Sequence, residues 1–215
     1  MKYILSFILF SLCIIQLQGL SNIKGTRTSK STSHSKPIKS SEPTKTTKVP
    51  SKPSLPPKTT KKDSKSKKIS DYVKSKVGSG YVWGSTGQIL DEKLYKRLKA
   101  RHVGRISDRT NKWKGKQVFD SAGLVKKSLE QAGIKVANGA TSSWKNTKWK
   151  EKGELSNLPK DKVCILYKKG PNGTMTHSGI YTGDGYVIHA KNEDSGVVRE
   201  KVSDSWTNWA YADGM

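Results

Sequence analysis

The hydrophobic positions of this 215-residue chain fall into three regions. Residues 3–15 form a nearly continuous apolar run, residues 21–68 contain almost no large apolar side chain, and residues 69–215 alternate apolar and polar stretches. An apolar run of that length near the N-terminus is typical of a signal peptide, with an uncleaved anchor as the alternative. A long polar segment cannot bury enough surface to offset the entropy of ordering it. The pattern therefore predicts a signal peptide over 1–20, a disordered linker or stalk over 21–68, and one globular domain over 69–215.

The first half of the domain carries a helical periodicity. Residues 70–77, with the sequence SDYVKSKV, form a short helical pattern with Ser70 in the position of an N-cap, and residues 93–101 form a second one. The clearest pattern covers 121–132, where apolar residues recur three and four positions apart. Gly133 stands directly after it, where a C-cap glycine is expected. The sequence therefore predicts three helices in this part of the domain.

The second half of the domain changes to the pattern of β-strands. Four segments rich in β-branched and aromatic residues are separated by Gly, Asn and Asp, and TGDGY at 182–186 is a strong hairpin signal. Helices followed by an antiparallel meander predict an α+β domain in which N-terminal helices pack on an antiparallel sheet. The four predicted strands are DKVCILYKK (161–169), THSGIYTG (176–183), GYVIHAKN (185–192) and GVVREKV (196–202).

The net charge of +24 is unevenly distributed. Residues 21–70 carry 14 Lys and Arg against 2 acidic residues, so half of the charge lies in a quarter of the chain. A basic surface attracts polyanions, and for a secreted protein we expect anionic cell-wall polymers or matrix rather than a specific nucleic acid. A role in solubility alone is the alternative. The Ser, Thr and Pro content also fits an O-glycosylated stalk, and 172–174 form an N-glycosylation sequon.

The cysteines and isolated histidines offer little chemistry of their own. Cys13 would leave with the signal peptide, so Cys164 would have no intramolecular disulfide partner. Cys164 falls in a predicted strand, where a cysteine is usually a buried and inert apolar residue. His34 lies in the predicted linker, and His102 lies in the basic stretch KARHVGR, where we expect it to be solvated. No spacing matches a metal site, so we expect neither a metal nor a cofactor, and we expect a monomer.

Two histidines flank the predicted hairpin. His177 and His189 lie twelve residues apart, so antiparallel pairing around Asp184 and Gly185 brings them to one face within hydrogen-bonding reach. If the helix that begins at Ser121 packs against that face, a hydroxyl and two imidazoles would align as nucleophile, base and orienting group. Histidine pairs in hairpins are also common as structural or surface residues, so the spacing leaves both interpretations open.

Four segments give a more specific indication. GYVWGSTGQ, FDSAGLV, HSGIYTGDGYVIHA and SWTNWAYA resemble, in this order, the motifs of the NlpC/P60 cysteine peptidases, including members from bacteria and phage lysins. The resemblance covers about residues 70–215, which is the whole predicted domain. It implies a papain-like fold and a site that cleaves peptide bonds in peptidoglycan stem peptides next to D-glutamate or diaminopimelate.

The resemblance also implies roles for individual residues. Ser121 stands at the nucleophile position, His177 at the position of the base, and His189 at the position of the orienting group. Tyr81 matches a tyrosine that lines the site near the nucleophile. The residues expected to contact a bound peptide are Tyr81, Trp83 and Asp120.

The chain departs from the family at the nucleophile. The family motif DCSG is DSAG here, so Ser121 replaces the thiol and Ala122 replaces the serine. A helix N-terminus and a nearby imidazolium lower a thiol pKa from about 8.5 into the range of roughly 3.5 to 7.5. A hydroxyl is a far weaker acid and must lose its proton to a well-placed base during attack.

These considerations predict a secreted or cell-surface protein that recognises peptidoglycan-type peptides with impaired or absent catalysis. Two alternatives stay open at this stage. One is an active cell-wall endopeptidase that uses Ser121 as its nucleophile with His177 as base. The other is a basic matrix protein whose tail carries the function, with the folded domain as a scaffold.

Overall fold

The computed structural model describes residues 61–215, with side chains from Ser64 onwards. The predicted signal peptide with Cys13, and the predicted linker up to residue 60 with His34, lie outside the described residues. The described residues belong to one compact unit. None of their helices is long and apolar enough to cross a membrane.

Helices and a large antiparallel sheet make up the domain, which confirms the predicted α+β class. The helices are α1 (Lys61–Lys74), α2 (Glu92–Arg101), α3 (Ser121–Glu130) and α4 (Ala140–Asn146), with short 3-10 helices at Asp108–Trp113 and Leu155–Asn157. The strands are β1 (Gly80–Tyr81), β2 (Thr86–Ile89), β3 (Gln117–Phe119), β4 (Trp149–Glu154), β5 (Val163–Lys169), β6 (Met175–Thr182), β7 (Tyr186–Asn192), β8 (Gly196–Lys201) and β9 (Asn208–Ala212).

Helix α1 begins earlier than its apolar pattern predicts. It already starts at Lys61, so residues 61–68 of the predicted linker are helical, and the prediction of Ser70 as an N-cap is wrong. Ile69 and Val73, four positions apart, are fully buried in the main core and anchor the helix. The preceding residues are mostly Lys and Ser, which carry no apolar periodicity although lysine is compatible with a helix.

Helices α2 and α3 agree with the sequence pattern to within one or two residues. Asp91 caps α2, its carboxylate accepting a hydrogen bond of 2.6 Å from the backbone N–H of Leu94. Gly133 follows α3 with φ of +71°, a left-handed conformation that glycine adopts without steric cost. Its predicted role in ending the helix is therefore confirmed.

The large sheet has six strands in the order β4-β9-β5-β6-β7-β8, and all its neighbours are antiparallel. A second, small sheet has the order β1-β3-β2, with β1 parallel to β3. The four predicted strands correspond to β5–β8. The hairpin between β6 and β7 is also confirmed, with Gly183 and Gly185 at φ of +79° and +85° in its turn.

The sequence pattern missed β4, β9 and α4. Strand β4 has the sequence WKEKGE at a sheet edge, where mostly exposed side chains remove the apolar alternation. Helix α4 is short, and two of its residues contact Tyr167 in the core. The Ser143 hydroxyl lies 2.7 Å from the Tyr167 hydroxyl, and the Trp144 ring packs edge-on at 5.4 Å.

The main core joins α1 and α3 to the large sheet. Cys164 of β5 is fully buried within it, and this burial raises the pKa of its thiol. The expected buried position of Cys164 is therefore confirmed. Asn172 of the sequon lies exposed in the turn between β5 and β6.

Candidate active site

A cavity of about 540 Å³ opens at the N-terminal end of α3. Its walls come from the connection after β1, the loop after α2, the starts of α3 and α4, and the first residues of β6. Four of the six predicted site residues lie in these walls. They are Tyr81, Trp83, Asp120 and Ser121.

Asp120 determines where α3 begins and therefore where Ser121 lies. One carboxylate oxygen accepts a hydrogen bond of 2.6 Å from the Gly123 N–H as the helix N-cap, and the other accepts one of 2.9 Å from the Gly84 N–H. Burial raises the pKa of Asp120, although these N–H groups favour its ionised form. Both oxygens thus have backbone partners, and a contact of Asp120 with a bound peptide stays a prediction.

Tyr81 and Trp83 present two aromatic rings to the cavity. Tyr81 is buried, and its burial raises the pKa of the phenol, so the hydroxyl is neutral at physiological pH. Trp83 is 37% exposed and is the one tryptophan of the six that the structure leaves exposed. Gly84 follows at φ of +80°, where a side chain would collide with the His102 ring. Because Gly84 has no side chain, the His102 ring of the loop after α2 can pack directly against it.

His177 and His189 form a hydrogen-bonded pair across the β6–β7 hairpin. His177 Nε2 and His189 Nδ1 are 2.7 Å apart, and the rings meet edge-on with centroids at 5.0 Å. The predicted hydrogen bond between them is therefore confirmed. Burial, then repulsion from His189 and Lys168, lowers the pKa of His177 to about 3. Burial also lowers the pKa of His189, so both rings are neutral at pH 7.

Glu200 extends this pair and was missed by the sequence analysis. Its Oε2 lies 3.0 Å from His189 Nε2, and its Oε1 lies 2.5 Å from Lys191 Nζ. In the β7–β8 register Glu200 pairs with Val187, two residues from His189, so both side chains share a face. The alternation of GVVREKV, carried over the second hairpin, was the signal that could have identified it.

The chain of hydrogen bonds determines the tautomer of each ring. A carboxylate only accepts, so His189 donates from Nε2 to Glu200 and leaves its Nδ1 as an acceptor. His177 then donates from Nε2 to His189 and keeps an unprotonated Nδ1. His177 therefore presents a lone pair that can accept a proton.

Trp206 covers the two histidines. Its ring centroid lies 5.5 Å from that of His177 and 5.2 Å from that of His189, and the side chain is almost fully buried. Lys168, the strand partner of His177, lies over the same Trp206 ring, with Nζ 4.8 Å from the ring centroid. The indole shields the bond between the histidines from water, which strengthens it.

The structure does not join the two groups of predicted residues by a hydrogen bond. Within the described part of the chain, the Ser121 hydroxyl forms no hydrogen bond, and the bond of the His177 ring goes to His189. Strand β6 connects the groups, because Met175 and Thr176, which precede His177, line the cavity with Ser121. The site thus contains a hydroxyl at a helix N-terminus and a separate, oriented imidazole base.

The loop after α2 brings two further residues to the cavity. His102 was expected to lie away from the site in a solvated basic stretch, but the structure places it, partly buried, in the cavity wall. Arg105 lies in the same wall, with its guanidinium 5.1 Å from the Trp83 ring centroid. Neither position carried a signal in the sequence, because both lie in a stretch that looks uniformly basic.

Residues 61–215 contain no group of three or more His, Cys, Asp or Glu side chains that could hold a metal ion.

Comparison with solved structures finds several proteins that are similar to this chain. The chain is 24% identical to the resuscitation promoting factor interacting protein RipA, covering 70% of this chain and 63% of that chain at a TM-score of 0.50. It is 18% identical to the NlpC/P60 domain of the peptidoglycan hydrolase SagA, with coverage of 68% and 97% and a TM-score of 0.45. It is 17% identical to NlpC1 from Trichomonas vaginalis, with coverage of 68% and 43% and a TM-score of 0.46. The chain thus spans less than two thirds of the RipA chain, and at this identity the RipA likeness shows the fold.

Comparison of the sequence with known proteins and families identifies the family of this chain. Comparison with curated protein sequences finds no significant match. The sequence profile of the NlpC/P60 family matches residues 78–213, which is more than half of the chain and includes every predicted site residue. Together with its α+β fold, this match shows that the chain belongs to the NlpC/P60 family.

Proposed function

We propose that this protein is a secreted NlpC/P60 domain that binds peptidoglycan-type peptides and cleaves them poorly or not at all. The observation that carries the proposal is Ser121, which stands at the N-terminus of α3 in the wall of a cavity of about 540 Å³. A cavity of this size is in the range that binds small ligands and short peptides.

The cavity lining supports a peptide ligand. Tyr81 and Trp83 supply flat apolar surface, and the Ser142 hydroxyl can bond to a peptide backbone. The hydroxyls of Thr141 and Thr176 donate to the carbonyls of Met175 and Lys168, so they can accept a hydrogen bond from a peptide N–H. The peptidoglycan hydrolase SagA, whose NlpC/P60 domain is similar to this chain, supports peptidoglycan as the source of the peptide.

Impaired catalysis is supported by the weakness of His177, the base that would have to serve Ser121. Efficient general bases have a pKa near the working pH, whereas the pKa of His177 is lowered to about 3. Taking a proton from an alcohol with such a weak base is strongly unfavourable. A thiol at the same helix N-terminus would not need this step, because it can ionise beforehand.

An active serine endopeptidase is the second candidate function. It is favoured by the series His177, His189 and Glu200, in which both hydrogen bonds are made and the His177 Nδ1 is left free. In this mechanism the Ser121 oxygen attacks the peptide carbonyl carbon while His177 takes the hydroxyl proton. His189 and Glu200 stabilise the imidazolium that forms. The C–N bond then breaks, the amine leaves with the proton from His177, and water hydrolyses the acyl-serine.

Peptide release from purified peptidoglycan, followed by mass spectrometry, separates the two candidates. The protein is compared with its Ser121→Cys and Ser121→Ala variants, and binding of soluble stem peptides is measured in parallel. We expect binding by all three proteins and release by Ser121→Cys only. Release by the wild type that Ser121→Ala abolishes would establish an active serine peptidase and refute impaired catalysis. Absence of binding by all three would refute the proposed ligand class.

We also propose that residues 21–60 form a basic stalk that binds anionic wall polymers or matrix. Its support is the concentration of Lys and Arg in this part of the sequence. The test is sedimentation of the chain with and without residues 21–60 on anionic wall polymer at increasing salt. We expect the deletion to weaken the salt-sensitive binding, and equal binding of both forms would contradict the stalk's role.

A further inference from the structure

The cavity that contains Ser121 has an unpaired positive charge in its wall. We propose that Arg105 is the anion-binding group of this cavity and that it selects peptides carrying a free carboxylate. This inference rests on the proposed function, because it names the chemistry of the ligand that the same cavity takes.

Arg105 is free to bind a ligand. In the part of the chain that the structure describes, it makes no ion pair, whereas Arg109, four residues further on, pairs with Asp194 at 2.9 Å. Its guanidinium instead lies over the Trp83 ring, 5.1 Å from the ring centroid. Stacking on an aromatic face uses the π surface and leaves the N–H groups at the edge of the guanidinium available for a carboxylate.

The loop that carries Arg105 is held in place at Ser107 by the turn between β7 and β8. Glu193 in the β7–β8 turn accepts hydrogen bonds from the N–H of Ser107, at 2.9 Å, and from the Ser107 hydroxyl. The Trp113 indole N–H donates to the Glu193 carbonyl at 2.7 Å. Because the loop is already fixed, a ligand would not have to order it on binding, which favours affinity.

The one acidic residue in the cavity wall does not neutralise Arg105. Both Asp120 oxygens accept backbone hydrogen bonds, from Gly123 and Gly84, and the wall contains no second carboxylate. Among the residues that the structure describes, Arg105 thus has no carboxylate partner and lies beside an aromatic platform. Arginine binds carboxylates through two parallel N–H donors, which makes a carboxylate the anion that fits it.

The test compares two synthetic stem tripeptides, one with free carboxylates and one in which every carboxylate is a carboxamide. Binding is measured by calorimetry with the full chain carrying Ser121→Ala, so that no peptide is cut. The variants are Arg105→Gln and, as a matched control, Arg97→Gln, which removes an equal charge from an exposed position on α2 outside the cavity wall.

We expect the acidic peptide to bind about tenfold more tightly than the amide, as for a charge-assisted hydrogen bond at a partly exposed site. Arg105→Gln should abolish this preference, and Arg97→Gln should keep it. Equal binding of both peptides by the parent protein, or a preference that survives Arg105→Gln, would overturn the role of Arg105 and leave the proposed function intact. If the parent protein binds neither peptide, the proposed function fails and the inference fails with it.

Discussion

Replacing Asp120 by alanine should destabilise the domain more than the loss of an ordinary helix cap. The side chain joins two elements, because it caps α3 through Gly123 and holds the β1–β2 connection through Gly84. Alanine keeps the backbone but removes both acceptors. The two N–H groups then lie partly buried without a partner.

The magnitude follows from the two bonds. Loss of an N-cap costs about 1 kcal/mol, and a partly buried N–H left without its acceptor costs roughly 1 to 3 kcal/mol more. Burial raises the pKa of Asp120 because it disfavours the charged carboxylate. This cost offsets part of the stability that the two hydrogen bonds contribute to the wild type at pH 7. We therefore expect the free energy of unfolding to fall by about 2 kcal/mol.

Urea unfolding at pH 7, followed by circular dichroism, measures this loss. The matched control is Asp91→Ala, because Asp91 caps α2 through a single bond to Leu94 and should cost about 1 kcal/mol. Asp120→Asn should fall between wild type and alanine, since asparagine keeps one acceptor for the cap. If Asp120→Ala costs no more than Asp91→Ala, the bond to Gly84 does not hold the two elements together and the reasoning is refuted.

Three further predictions concern the histidine pair. The pKa of His177 is lowered to about 3, far below that of an unfolded histidine near 6.5, so the unfolded chain binds more protons in the acid range. The free energy of unfolding should therefore fall from pH 6.5 to pH 5 by up to about 1.4 kcal/mol per pH unit. His177→Gln should flatten this pH dependence in urea titrations, and an equal pH dependence in wild type and variant would contradict the prediction. In Glu200→Gln the carboxylate that raises the pKa of His189 is lost, so NMR titration should find that pKa lower still, and a higher value would argue against the hydrogen bond. In Gly179→Ala the new methyl group would lie 2.9 Å from the His189 Cβ and 3.1 Å from Trp206, which is too close. The free energy of unfolding should therefore fall by about 1 to 3 kcal/mol, measured by thermal unfolding. An unchanged melting temperature would exclude this packing.

Local sequence patterns were sufficient to predict an element where its apolar residues recur with the period of a helix or a strand. The α3 start at Ser121 was predictable because Asp120 is a good N-cap and apolar residues recur at helical spacing behind it. The start of α1 was not, because Lys61–Lys68 have no apolar residue to reveal which side faces the core. Strand β4 was missed for the same reason at a sheet edge.

The sequence by itself determined the family, the α+β class, the serine at the nucleophile position and the pairing of His177 with His189. The last of these follows because a tight turn and the two-residue period of a strand decide which side chains share a face. Only the tertiary structure decided that Glu200 continues the pair, that Trp206 covers it, and that Arg105 lies over Trp83 in the cavity wall. Contacts between such distant segments depend on how whole elements pack, and no local period in the sequence encodes that packing.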